Sequence, residues 1–423
     1  MILRILYYYY KTLYLNKYLD TPERLKAYQK KRFNRLVKKT LIHAPFYKEY
    51  LNKPFEEWPI INKHIMMAHF DDLNTLGIKK TEALNCALKA EETRDFSALI
   101  KGVAVGLSSG TSGTRGLFLA RASERDAWAG IILAKVLPDG FKKQERIAFF
   151  LRANSPLYTT LNKSKKIQFT FFDLLGNFDA HLEGLNHLQP TILSAPSSVL
   201  LALAHQKKRL TINPKKIIAV AEVLEPSDEA FISKAFNQPV SKVYQCTEGL
   251  LAVSDKVSHT LVMNDEYLII EKEWLDEERF IPVITDLLRT TQPIVRYRLD
   301  DVLVVSKEPG ICTQLSTIQG RLGDVCYGIM GDTLVPIFAD ILRHTMASSP
   351  IYFEDYQICQ ESLTDFSIQV SPELEDKDVL ITHLNTLFKQ KGCAIPNWHW
   401  QGFEKKPMDI KRRRIQSKFQ RTP

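Results

Sequence analysis

Residues 191–248 read TILSAPSSVLLALAHQKKRLTINPKKIIAVAEVLEPSDEAFISKAFNQPVSKVYQCTE, and the alternation within them sets the fold class. Three short apolar runs, at 191–195, 217–221 and 240–245, have the length and composition of buried strands. Between them, 197–206 and 226–236 recur at helical spacing. Such repetition predicts βαβ units around a parallel sheet covered on both faces. On the N-terminal side, 147–151 and 167–172 extend the strand series and 178–188 adds a helix. On the C-terminal side the texture changes after 258 to alternating strands. A polar Asn264-Asp265 turn between Leu261-Val262 and Leu268-Ile269 predicts an antiparallel subdomain there. Beyond about 324 come two more strands (351–359 and 364–370), a helix near 374–389, and a basic tail.

A chain of 423 residues can bury a substantial core, and a large domain with a smaller one is expected. Six cysteines without a C-x-x-C pair encode neither a disulfide framework nor a zinc ribbon, which points to a reducing, cytoplasmic compartment. The formal charge of +9 is uneven: residues 1–50 carry +9 and residues 404–423 carry +6, leaving −6 for the body between them. Basic ends on an acidic body suit solvated helix faces, with acidic lipid or nucleic acid as the other candidate partners. The opening MILRILYYYYKTLYL is apolar and aromatic, but Arg4 and Lys11 make it too charged to span a bilayer. It reads as a helix docked on the domain, with peripheral membrane contact as the alternative. Thr21-Pro22-Glu23 is a helix start, with Thr21 as N-cap and Pro22 first in the helix. Ser123-Glu124-Arg125-Asp126 resembles a capping box with Asp in the third position.

The clearest chemical signal is GLSSGTSGTRG at 106–116. Glycines and hydroxyl residues at this density describe a loop whose backbone amides and hydroxyls can donate to phosphate oxygens. It is not a Walker A loop, since no Gly-Lys-Ser/Thr closes it. Taken alone, such a loop also serves as a linker. Single histidines such as His205, His344 and His399 lack metal-ligand spacing, and no G-x-S-x-G elbow occurs.

Five segments in order carry a resemblance: SSGTSGTRG, AEVL at 221–224, YQCTE at 244–248, RYRLDD at 296–301 and GRLGD at 320–324. They resemble the motifs of the adenylate-forming superfamily, in particular the branch of phenylacetate–CoA ligase and the deazaflavin-coenzyme adenylylating synthetases. APFYKEYL and PIINKHIM, at 44–51 and 59–66, resemble that branch's N-terminal region. The resemblance implies an α/β fold with a large N-terminal domain (a parallel α/β sheet plus an antiparallel β subdomain) and a small α+β C-terminal domain joined by a hinge. The expected bounds are 1–322 and 323–423, with Gly323 at the hinge.

It also implies roles. Ser108, Ser109, Gly110, Thr111, Ser112, Gly113 and Thr114 would hold the β- and γ-phosphates of ATP, and Arg115 would face the leaving pyrophosphate. Glu222 and Tyr244 would border the adenine, Thr247 would bond the α-phosphate, and Glu248 would hold Mg²⁺. Asp301 would accept the ribose hydroxyls and Arg321 would reach the ribose or α-phosphate. Lys418 is the candidate catalytic lysine and Lys411 the runner-up. Asp300 stands where the family shows glycine, and the proline usual after the phosphate loop is missing. Arg296 and Arg298 alternate on a strand, so at least one is expected to be a surface or salt-bridge residue.

The implied reaction is activation of a carboxylic acid to its acyl-AMP, followed by transfer to CoA or a carrier-protein thiol. Adenylylation of a hydroxyl on a cofactor or metabolite is a second reading. A non-catalytic binding protein tethered to lipid or nucleic acid by its basic ends is a third. The acid is not specified: Phe149, Phe150, Phe169, Phe171 and Phe172 suit the core of buried strands as well as an aromatic pocket.

Overall fold

The computed structural model describes residues 1–108, 115–152, 166–258, 260–308, 310–404, 407 and 410–419. The chain divides into two units. The first holds Met1–Leu224, Asp228–Leu299 and Val304–Thr317; the second holds Ile318–Pro423 with Glu225–Ser227 and Asp300–Leu303.

In the first unit, helices α1 (Ile2–Tyr18), α2 (Pro22–Lys39), α3 (Lys63–Ala68), α4 (Phe70–Leu73) and α5 (Lys80–Thr93) come first. A small antiparallel sheet follows, built from β1 (Leu99–Ile100), β2 (Val103–Leu107) and β3 (Leu117–Arg121). Helix α6 (Ala122–Val136) then leads into strands β4 (Glu145–Leu151), β5 (Ile167–Asp173), β6 (Ile192–Pro196), β7 (Lys216–Val220) and β8 (Val240–Cys246). Helices α7 (Phe178–Leu188), α8 (Ser197–His205) and α9 (Pro226–Phe236) alternate with them. The strands lie parallel in the order β5-β4-β6-β7-β8. Each lies within two residues of its sequence prediction. Ile192, Leu193, Ala195 and Ile217 are fully buried, as strands covered on both faces must be.

The sheet then turns antiparallel with β9 (Gly249–Ser254) and β10 (Leu261–Met263), while β11 (Leu268–Trp274), β12 (Arg279–Asp286) and β13 (Tyr297–Arg298) form a second antiparallel ladder. Strands β14 (Asp301–Val305) and β15 (Gln314–Arg321) enter the same sheet, and residues 304–305 and 314–317 of them belong to the first unit. An antiparallel part is therefore present, but the turn predicted at Asn264-Asp265 does not pair its flanks. Strand β10 pairs with β9 and β15, and β11 with β12. The physical reason is that this polar segment is buried. Asn264 donates to the Leu250 carbonyl at 2.9 Å, Lys135 pairs with Glu266 at 2.6 Å, and Asp265 accepts the Thr313 amide at 2.6 Å.

Helix α1 docks on α6 as expected. A Cβ on Gly130 would lie 2.4 Å from the Ile5 carbonyl oxygen, so only glycine lets the two helices approach this closely. Ile5, Tyr9 and Leu15 join Ile131, Leu133 and Val136 and the sheet residues Ile147, Ile192 and Ile218 in one core. Thr21 caps α2 by accepting the Arg24 amide at 3.3 Å. The capping box predicted at Ser123 is displaced. Helix α6 starts two residues earlier, and Glu124 accepts the Arg121 amide at 2.8 Å, while Asp126 is buried against Arg4 at 3.2 Å.

The second unit contains the hairpin β16 (Cys326–Met330) and β17 (Thr333–Ile337), helices α10 (Ala339–Ala347) and α11 (Lys377–Gln390), and a four-stranded sheet. Its order is β20 (Asn397–Trp400), β19 (Asp365–Ser371), β18 (Asp355–Gln360), β21 (Ile415–Ser417). Leu342, Ile358, Phe366, Ile368, Leu380, Leu384 and Phe388 are its buried centre. The basic tail is not simply solvated. Arg412 pairs with Asp355 at 2.6 Å, Arg413 pairs with Asp324, and the buried Arg414 bridges Asp355 and Glu225.

Candidate active site

The parallel strands present their carboxyl ends along one edge, the usual ligand edge of an open α/β sheet. Register Val220↔Val243 brings the residues after β7 beside the end of β8, which aligns Ala221-Glu222 with Tyr244-Gln245. Ala221 has φ +66°, and the Glu222 amide bonds the Val220 carbonyl at 2.8 Å, a three-residue turn that a side-chain-bearing residue adopts only under strain. The Glu222 carboxylate accepts the Ser198 amide at 2.9 Å, at the start of α8. Tyr244 is buried on β8 beside a bulge between Tyr244 and Gln245.

Thr247 and Glu248 form the two-residue tip between β8 and β9, since Cys246 pairs with Gly249. Glu248 is only 6% exposed, and both of its oxygens are engaged. Oε1 accepts from the Tyr297 hydroxyl at 2.9 Å, and Oε2 accepts from the Thr247 hydroxyl at 2.8 Å. The Thr247 carbonyl accepts from Arg289 at 2.6 Å, and the same guanidinium donates to the Leu119 carbonyl of β3 at 3.1 Å. Arg289 thus ties the Thr-Glu tip to the strand that leaves the Ser/Thr/Gly loop. Its own place is fixed by Asp286, which accepts the Leu288 and Arg289 amides at 2.7 and 3.1 Å. Burial raises the Asp286 carboxyl to about 6, against the opposing pull of Arg289. Gln292 accepts the Leu119 amide at 3.0 Å, and Glu124 accepts the Thr291 amide at 2.8 Å, adding two more ties on the same side.

The loop itself springs from the β2–β3 hairpin. At its neck Ser108 donates its amide to the Gly116 carbonyl at 2.8 Å and accepts the Gly116 amide on its hydroxyl at 2.7 Å. Arg115 donates to the Ser108 carbonyl at 2.9 Å and grips the Glu91 carboxylate of α5 through both guanidinium nitrogens. That grip holds the Glu91 carboxyl below its ordinary range. Ser109, Gly110, Thr111, Ser112, Gly113 and Thr114 lie outside the described residues.

Asp301, Arg321, Lys411 and Lys418 belong to the second unit. Asp301 and Arg321 stand 3.9 Å apart, and the Leu322 amide bonds the Asp300 carbonyl at 2.6 Å. Asp300 is not among the residues with positive φ, so the backbone there does not demand the family's glycine. Lys418 follows β21, is exposed, and pairs with Glu361 at 2.6 Å; this carboxylate raises the lysine's pKa above its ordinary value. Lys411 precedes the three arginines and is half-buried. Arg298 of β13 pairs with Glu273 at 2.6 Å, and Arg296, which precedes the strand with φ +47°, pairs with Glu271 at 2.7 Å.

Among the described residues no group of three or more His, Cys, Asp or Glu gathers for a metal. A Mg²⁺ ion held by one carboxylate, with phosphates and water completing its shell, needs no such group, and the hard oxygens of Glu248 and Thr247 fit that demand. Sequence reasoning missed Tyr297, Arg289 and Asp286. The signal for Tyr297 was its neighbour Arg298 on the same strand, which alternation puts on the opposite face. Nothing local distinguishes Arg289, because its partners are 42 and 170 residues away.

No protein-family model matches the chain. Among curated proteins, Protein CapK of Staphylococcus aureus is 22% identical over 284 residues, which cover 64% of this chain and 60% of that protein. Among solved structures, a 2-hydroxyisobutyryl-CoA ligase in the postadenylation state, in complex with R3-HIB-AMP, superposes with a TM-score of 0.69 at 15% identity. The match covers 95% of this chain and 90% of that one. The acyl acid amido synthetase AtGH3.15, in complex with 2,4-DB, gives 0.58 at 13% identity over 89% and 84% of the two chains. The amide bond synthetase McbA of Marinactinospora thermotolerans gives 0.54 at 12% identity over 73% and 68%. The fold is that of the adenylate-forming enzymes, with its C-terminal domain.

Proposed function

We propose that this chain activates a carboxylic acid with ATP, forming an acyl adenylate and releasing pyrophosphate, and then passes the acyl group to the thiol of CoA or a carrier protein. The observation that carries this reading is the buried Thr247-Glu248 tip at the carboxyl edge of the parallel sheet, tied through Arg289 to the strand leaving the Ser/Thr/Gly loop. A fold shared with an acyl-CoA ligase and two amide-forming synthetases supports it, as does the order of the five motifs.

In the first half-reaction a substrate carboxylate oxygen attacks the α-phosphorus, and the bond to the β-phosphate oxygen breaks. In the second, a thiolate attacks the acyl carbon and AMP leaves. The chain contributes position and charge. Glu248 would hold Mg²⁺, whose charge would offset that of the phosphates. The Thr247 hydroxyl, now donating to Glu248, turns to the α-phosphate. Asp301 accepts from the ribose, Arg321 reaches the ribose or α-phosphate, and Glu222 and Tyr244 flank the adenine. Lys418 bridges carboxylate and α-phosphate, and residues beyond Gly323 move between the two half-reactions. An amine acceptor is the second reading, favoured by the two amide-forming fold neighbours.

The test is acid-dependent exchange of labelled pyrophosphate into ATP across a carboxylic acid library, followed by mass spectrometry with CoA or an amine added. Exchange with at least one acid is expected. Adenylylation of a non-acid metabolite without any acid-dependent exchange would replace this reading.

A further inference from the structure

Helix α1 has two unlike faces. Ile5, Tyr9, Thr12 and Leu15 face the core, and Thr12 also bonds the Tyr267 hydroxyl at 2.8 Å. The other face carries Leu3, Tyr7, Tyr10, Tyr14 and Tyr18, which are 83, 59, 61, 59 and 46% exposed. Their spacing of three and four makes one continuous stripe along the helix, and Met1 and Ile2 are also exposed at its start. The outer face of a helix on a soluble domain is ordinarily charged or polar. Here it is aromatic, and tyrosine, with an apolar ring and a polar tip, is the side chain of bilayer interfaces.

Cations border the stripe. The Lys11 ammonium stands 5.9 and 5.5 Å from the rings of Tyr7 and Tyr8, and the Arg24 guanidinium stands 5.7 Å from the Tyr18 ring. Arg32 and Arg35 of α2 crowd Lys11, and burial together with their repulsion lowers its pKa to about 8. Among the described residues no carboxylate pairs with Lys11, Arg32 or Arg35. Helix α2 carries eight Lys and Arg and only Glu23 as acid. The contrast with Arg412, Arg413 and Arg414, each matched to an internal carboxylate, is direct.

We propose that the exposed face of α1, with the cations of α2 beside it, docks this protein on an anionic lipid bilayer, with α1 lying in the plane of the interface. No described helix is long and apolar enough to cross a membrane, and a one-sided stripe on a helix that also carries Arg4 and Lys11 suits a helix lying on the surface. A second copy of the chain is disfavoured as the occupant, because the same face would bring Lys11, Arg32 and Arg35 against their own duplicates. Nucleic acid would satisfy the cations and leave Met1, Ile2 and Leu3 in water.

Flotation of the full chain with vesicles tests this. Binding is expected to vesicles containing about 30% phosphatidylglycerol in phosphatidylcholine, weakening about tenfold or more in pure phosphatidylcholine or in high salt. Replacing Tyr7, Tyr10 and Tyr14 together by Ser should abolish it with the melting temperature unchanged. The variant Lys11→Gln/Arg35→Gln should lose the preference for the anionic lipid. Failure of the parent chain to float, or flotation unaffected by both variants, overturns the proposal. So does a dimer in light scattering that the tyrosine variant dissolves, since the face would then be a self-interface.

Discussion

Glu248 and Lys418, the candidate metal carboxylate and the candidate catalytic lysine, are held in opposite ways. Glu248 is buried on a two-residue tip, and each oxygen has its own hydroxyl donor. Lys418 has a side chain 68% exposed and one ion pair, to Glu361. Hydrogen bonds to a buried charge are each worth about 1.5–3 kcal/mol, whereas an exposed ion pair is worth about 0–1 kcal/mol. Folding therefore fixes the carboxylate before any ligand arrives. The lysine can leave Glu361 for another anion at little cost. In the proposed reaction that division is functional, because a metal site gains from rigidity while a bridging cation must find its place after the substrate binds.

The comparison breaks first at Glu248. Glu248→Gln keeps the shape and an acceptor for Tyr297 but removes the charge. Pyrophosphate exchange should fall by about 10³-fold, the scale of several kcal/mol of metal-assisted stabilisation, with the fold retained by circular dichroism. Undiminished exchange would reduce Glu248 to a structural acceptor and leave the contrast without meaning.

Lys418 is the other arm. Lys418→Ala should slow adenylation by about 10²-fold, the usual cost of one transition-state donor, while stability stays within about 0.5 kcal/mol because the site is exposed. Glu361→Gln sharpens the point. It removes the resting partner alone, and exchange should remain within about twofold of the parent. Equal losses in the two variants would mean that the pair, and not the free lysine, is what matters.

Much of this was legible in the sequence. Apolar runs bounded by helical patterns located β4 to β8 and the helices between them, because a strand buried on both faces has few other ways to be written. The position of the Thr247-Glu248 tip was legible too, directly after the last parallel strand. What polar local pattern left out was the partners of the polar groups. A turn does follow Asn264, as its polar residues predict, but the Leu250 carbonyl and the Thr313 amide satisfy those residues inside the core. The run Arg412-Arg413-Arg414 reads as a solvated tail, yet Asp355, Asp324 and Glu225 match it. In each case the partner is distant in sequence, and local pattern carries no information about it. The ties behind Glu248 were hidden for the same reason.

The smallest effect is the one that tests those ties. Tyr297 donates to Glu248 from 49 residues away and is itself buried. Tyr297→Phe keeps the ring and removes the hydroxyl, leaving one carboxylate oxygen without that donor. A supporting partner of a metal ligand typically controls affinity by about 10- to 100-fold. The Mg²⁺ concentration for half-maximal exchange should therefore rise about tenfold, with the rate at saturating Mg²⁺ little changed. A rate that drops at every Mg²⁺ concentration would mean that the hydroxyl touches the reacting groups. If neither quantity moves, Glu248 does not owe its place to Tyr297, and the rigid half of the contrast must be sought in Thr247 and Arg289 alone.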